Sequence, residues 1–168
     1  LRNARGEFHP DPLLAAKFVK KAGADSITIH LREDRRHIKD KDAKKICSLK
    51  NILVNLEIST NSKMINKAIK IKPNFICLVP ENRKEITTEG GLNLKKNKHK
   101  IKKIIQKFKK KNIRTSLFIN PDINDIKISK ELETDCVEIH TGHLAKLIKS
   151  KKNFSKELKK IKSCVYLA

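Results

Sequence analysis

The stretch Asp25-Ser26-Ile27-Thr28-Ile29-His30-Leu31-Arg32-Glu33-Asp34-Arg35-Arg36-His37 decides how the chain is read. Its first half alternates, with Ile27 and Ile29 on one face and Ser26, Thr28 and His30 on the other. A period of two is the mark of a β-strand with one buried face. The second half is a burst of charge that leaves no room for a core. A strand that delivers His30, Arg32 and His37 at its C-terminal end is how an α/β enzyme presents reactive groups. The competing reading is a solvated turn rich in arginine, the usual fate of a charge run.

Outward from that stretch, the chain alternates between two periodicities. Asp11 to Ala22 has helical spacing after Pro10-Asp11-Pro12, and Gly23 follows as a C-terminal stop. Helical patterns are predicted over 41–49, 62–71, 98–111, 121–132 and 144–168, the last in two pieces around Asn153. Strands are predicted over 25–30, 53–58, 74–79, 114–119 and 135–140, with a long loop from Pro80 to Asn97. Strands alternating with helices through short connections argue a parallel sheet. In three strands the apolar residues share one face, while Thr28/His30, Asn55/Glu57 or Glu138/His140 share the other. A doubly wound sheet packs helices on both faces and wants both apolar. A (β/α)₈ barrel has a closed interior with polar groups at the strand ends. The expected fold is therefore a (β/α)₈ TIM barrel in a single domain over residues 1–168. The chain is short of the roughly 250 residues typical of that fold, which implies an incomplete barrel.

Composition narrows the function classes. The 168 residues suffice for one domain with a core, and 38% hydrophobic content with regular periodicity argues against disorder. A formal net charge of +22 raises nucleic acid as a partner. Aromatic residues make up only 4%, with one Tyr and no Trp, so stacking platforms are scarce. The lysine runs read as solvated outer helix faces. Cys47, Cys77, Cys136 and Cys164 form no Cys-x-x-Cys pair, which favours free thiols in a reducing cytosol over disulfides or zinc. No apolar run reaches the length of a membrane span, and no signal peptide is visible.

Several blocks occur together: Leu1 to Gly6, Ala22-Gly23-Ala24-Asp25, His30 to Asp40, Asn55-Leu56-Glu57, Leu78-Val79-Pro80-Glu81, Thr87 to Gly91, Ser116 to Ile119 and Glu138 to Gly142. In combination they resemble pyridoxine 5′-phosphate synthase, over nearly the whole chain. The resemblance implies a cytosolic (β/α)₈ barrel of vitamin B6 biosynthesis that assembles as a homo-octamer when complete. It implies condensation of 3-amino-2-oxopropyl phosphate with 1-deoxy-D-xylulose 5-phosphate to give pyridoxine 5′-phosphate, phosphate and water. It implies no metal, no organic cofactor, and neither nucleic acid nor membrane as a partner.

By the same resemblance, His30 is a general acid/base, Glu57 a second base and Glu138 a stabiliser of the transition state. Arg5, Arg32, His37 and Thr87 are then the site for deoxyxylulose phosphate. The residue types suit these roles. Histidine titrates near neutrality, and the arginine fork donates two parallel hydrogen bonds to a phosphate. A family strand with an Asn-x-Asp-His segment is expected before Leu1. Two strands carrying glycine-histidine motifs and a proton-donor histidine are expected after Ala168. On that reading the 168 residues alone are inactive. The alternatives are a basic nucleic-acid-binding protein, recognisable by one continuous basic stripe, and a barrel acting on another phosphosugar.

Overall fold

The computed structural model describes residues 6, 9–81 and 90–168. Along them run α1 (Pro12–Lys21), β1 (Ser26–His30), α2 (Asp40–Cys47), β2 (Leu53–Ser59), α3 (Ser62–Ile71), β3 (Phe75–Val79), α4 (Leu94–Lys109), β4 (Arg114–Ile119), α5 (Ile123–Glu131), β5 (Cys136–Ile139), α6 (Gly142–Lys149) and α7 (Ser155–Leu167). The strands form one sheet in the order β1-β2-β3-β4-β5, every neighbouring pair parallel. A doubly wound sheet reverses its strand order at a switch point. Here the order never reverses, so successive crossovers step the same way and the helices gather on one face. The sheet is an arc of a (β/α)₈-type barrel wall. Among the described residues it does not close on itself.

Short polar devices set the element ends. The Asp11 carboxylate accepts from the Leu13 and Leu14 amides at 2.8 and 3.3 Å, and Pro12 takes the first helical position of α1. Gly23, at φ +98°, follows the last turn. Asn61 and Asp122 cap α3 and α5 through amide hydrogen bonds of 2.9 and 2.7 Å. α4 starts at Leu94, not at the expected Lys98. Asn93 accepts from the Lys96 amide at 3.0 Å and Leu94 is fully buried, so cap and anchor begin the helix before its apolar stripe does. The predicted break near Asn153 falls between α6 and α7.

One face of each strand packs against the helices. Leu56, Ile58, Ile76, Leu78, Leu117 and Ile119 are fully buried there, with Ile101, Ile105 and Phe108 of α4. Burying one such side chain contributes about 1.5–3 kcal/mol. The alternate residues point the other way. In that row His30 pairs with Glu57, Glu57 with Cys77 and Cys77 with Ser116, while Phe118 pairs with Glu138. A polar interior face therefore lies behind an apolar outer one.

Candidate active site

β1 ends on His30, and Leu31, fully buried, anchors the chain as it leaves the sheet. The charged segment after it folds onto itself. The Arg35 guanidinium donates to the Arg32 carbonyl at 2.6 Å and the Glu33 carbonyl at 2.9 Å, and pairs with Asp40 at 3.1 Å. Arg36 pairs with Asp34 at 2.6 Å. Glu33 accepts from Ser59 at 2.6 Å and Asn61 at 3.2 Å, tying the segment to the end of β2. Arg32 is only 2% exposed, with its Nε 3.5 Å from Asp34 and 3.9 Å from Glu81. The solvated-turn reading of this segment is thereby overturned, because carboxylates and carbonyls take the place of water around the guanidinium groups.

His30 lies between two carboxylates. Its Nδ1 is 3.8 Å from Glu57 Oε2 and its Nε2 is 3.9 Å from Glu81 Oε2. Burial, with Arg32 and His37 nearby, pushes His30 down to about 4. At neutral pH the imidazole is uncharged, so its approach to Glu57 is a carboxylate beside a neutral ring and not an ion pair. Burial and the neighbouring Glu138 push Glu57 up to about 6. Asn55 donates to Glu138 at 3.0 Å, reaching across the interior from β2 to β5. Burial and the two glutamates push the Cys77 thiol up, which leaves it protonated and unreactive. His37 is pushed down by burial and by Arg32 and Arg36.

The structure thus gathers His30, Arg32, Glu57 and Glu138 at the carboxyl ends of β1, β2 and β5, with His37 on the segment after β1. Arg5 and Thr87 lie outside the described residues. Two members of the cluster were not singled out from the sequence. Asn55 was legible only as a polar-face residue within the Asn55-Leu56-Glu57 block, and Glu81 only as part of the Leu78-Val79-Pro80-Glu81 block. An acidic residue just past the end of an apolar strand was the available signal for Glu81. Among the described residues, no three His, Cys, Asp or Glu side chains are grouped to hold a metal ion.

A carboxylate titrating near 6 beside a neutral imidazole can exchange protons with a substrate at neutral pH. A buried arginine can fix an anionic group next to them. Such a set at the carboxyl ends of parallel strands defines an acid–base enzyme of the (β/α)-barrel class.

The comparisons with known proteins sharpen that class. The profile of the family described as "Pyridoxal phosphate biosynthesis protein PdxJ" matches residues 1–168, and the chain belongs to that family. Pyridoxine 5'-phosphate synthase of Pelagibacter ubique is 63% identical over 164 residues, covering 98% of this chain and 69% of the relative. The enzyme of the same name from Thermodesulfovibrio yellowstonii is 48% identical over 166 residues, covering 98% and 67%. That of Aliarcobacter butzleri is 51% identical over 147 residues, covering 88% and 56%. The chain thus spans 56% to 69% of these relatives' lengths.

Proposed function

We propose that this chain supplies acid–base and phosphate-binding residues of a pyridoxine 5′-phosphate synthase. In that reading the amine of 3-amino-2-oxopropyl phosphate attacks the ketone of 1-deoxy-D-xylulose 5-phosphate to give an imine. Dehydration, loss of phosphate and ring closure follow, and pyridoxine 5′-phosphate is the product. Glu57 and His30 move the protons, and Glu138 stabilises charge that develops in the transition state. Arg32 and His37, with Arg5 and Thr87, hold the phosphate of the deoxyxylulose substrate. Holding both substrates turns a chance encounter into an oriented step.

The observation that carries the reading is Glu57, raised to about 6 within 3.8 Å of a neutral histidine. A general base works best when its pKa lies near the working pH. The lysines do not collect on one element: all seven helices among the described residues carry them, which favours solvated outer faces over a nucleic-acid stripe. No helix among the described residues is long and apolar enough to cross a membrane. A cytoplasmic homo-octamer that needs neither metal nor organic cofactor completes the proposal.

The test is turnover by a protein containing these 168 residues. Glu57→Gln abolishes product formation while deoxyxylulose phosphate still binds in calorimetric titration. Arg32→Ala weakens that binding by about 1.5–3 kcal/mol, the range for a hydrogen bond to a charged group. Arg32→Lys restores it only in part, because a point charge does not reproduce the fork. Normal turnover in the Gln variant refutes the role of Glu57.

A further inference from the structure

We infer that Glu81 is a positioning residue for His30, holding the imidazole with its proton on Nε2 and leaving Nδ1 as the proton-accepting nitrogen that faces Glu57. The inference deepens the acid–base reading above and rests on it for its kinetic consequence. Its geometric basis is independent of any substrate.

Four observations carry it. The Glu81 side chain is 1% exposed, so water does not serve its oxygens. Oε1 is already occupied, accepting from the Glu33 amide at 2.8 Å. Oε2 has no hydrogen-bond partner among the described residues, and neither has His30 Nε2. These two buried, unpartnered atoms face each other at 3.9 Å. Buried polar atoms in native proteins are nearly always paired. Catalytic hydrogen bonds are commonly long before substrate arrives and tighten in the complex. Burial raises Glu81 above the usual carboxylate range, against the Glu33 amide and Arg32, which favour its charge. In its ionised form it only accepts, and so demands that the facing imidazole nitrogen carry the proton.

The opposite tautomer would send the ring proton to Glu57. That carboxyl is 23% exposed and reaches solvent, so it does not depend on His30 for a partner. Glu81 has no such outlet. Its position also couples two parts of the site, because Oε1 lies 3.9 Å from Arg32 Nε. A carboxylate that touches both a base and a phosphate-directed arginine can pass a shift in one to the other. Pro80 stiffens the chain just before it, with φ fixed by the ring. The groups around the imidazole are then Glu57 and Glu81 in contact, with Arg32, His37 and Asp34 acting through their charge.

The decisive measurement is ¹⁵N NMR, with labelled histidine at neutral pH, of a protein that carries these 168 residues together with the strands the resemblance expects on either side. His30 is expected as a single tautomer, Nε2 protonated and Nδ1 bare. In Glu81→Gln the preference is lost and both tautomers appear. Turnover then falls by about 10- to 100-fold in kcat, as for other partners that orient a catalytic group, and the pH profile moves with it. A His30 found with its proton on Nδ1, or as an even mixture in the parent, overturns the inference even if the variant fails to fold. So does a Glu81→Gln protein that keeps the parent tautomer and turnover. If the tautomer is as expected but the parent makes no product from the two phosphorylated substrates, the proposed reaction fails and the role of Glu81 stands.

Discussion

The two faces of β2 differ in kind, although their residues alternate along a single strand. Val54, Leu56 and Ile58 point toward the helices and are fully buried. Asn55 and Glu57 point into the interior, where each remains half-buried. The outer face gains free energy from every apolar atom it hides. The inner face holds a carboxylate that burial pushes up to about 6 and, across the pairing, a histidine that burial pushes down to about 4. Both shifts mark groups held in the less favourable solvation. One strand can therefore carry stability and chemistry together, because its period of two keeps them on opposite sides. The two functions should respond in opposite senses to substitution.

The largest expected effect is on the outer face. Leu56→Ala removes a fully buried side chain from the layer under α2 and α3. It should cost about 2–5 kcal/mol, the range for truncating a core leucine. Denaturant titration measures it directly. A loss below about 1 kcal/mol would mean that the outer face is not the stabilising one.

Most of this division is legible in the sequence alone. The alternation of Ile27/Ile29 with Thr28/His30, and of Val54/Leu56 with Asn55/Glu57, names both the strands and their polar side. It was also enough to prefer a barrel wall over a doubly wound sheet. Three things were not legible. A run such as Arg32 to Arg36 reads the same whether its partners are water or Asp34 and Asp40, so the burial of Arg32 came only with the fold. Glu81 sits past the end of β3, where no periodicity constrains it, and its contact with His30 spans a separation along the chain that no local pattern reports. The start of α4 was misplaced because the apolar stripe, not the Asn93 cap, dominated the pattern.

Acid should then erode the inner face. His30 titrates at about 4 in the folded chain against 6.5 unfolded. Its folded value is depressed, so below pH 6.5 the unfolded chain binds the extra proton first. The neutral ring's stabilising preference is full above pH 6.5 and disappears as pH falls to about 4. A shift of that size corresponds to about 3 kcal/mol. Relative to His30→Gln, the parent should lose about that much between pH 7 and 4, read as the difference between two urea titration series. Parallel pH curves for the two proteins would show that His30 is not held neutral by its surroundings.

A smaller effect has the opposite sign and separates the two faces most cleanly. Glu57 titrates at about 6 in the folded chain against 4.5 unfolded. Its folded value is raised, so between these limits the native state holds the proton more tightly. Stability falls as pH rises from 4.5 to 6, and at pH 7 the ionised carboxylate costs the fold about 2 kcal/mol. Glu57→Gln keeps the shape and removes the charge. It should therefore be more stable than the parent at pH 7 by about that amount, while turnover is lost. The gain should shrink as pH falls below 6 and vanish only below 4.5, where the parent carboxyl becomes protonated in the unfolded chain as well. A Gln variant less stable than the parent at pH 7 would mean that the carboxylate has a compensating partner inside the barrel wall. In that case the strand's inner face contributes stability too, and the contrast with Leu56 fails.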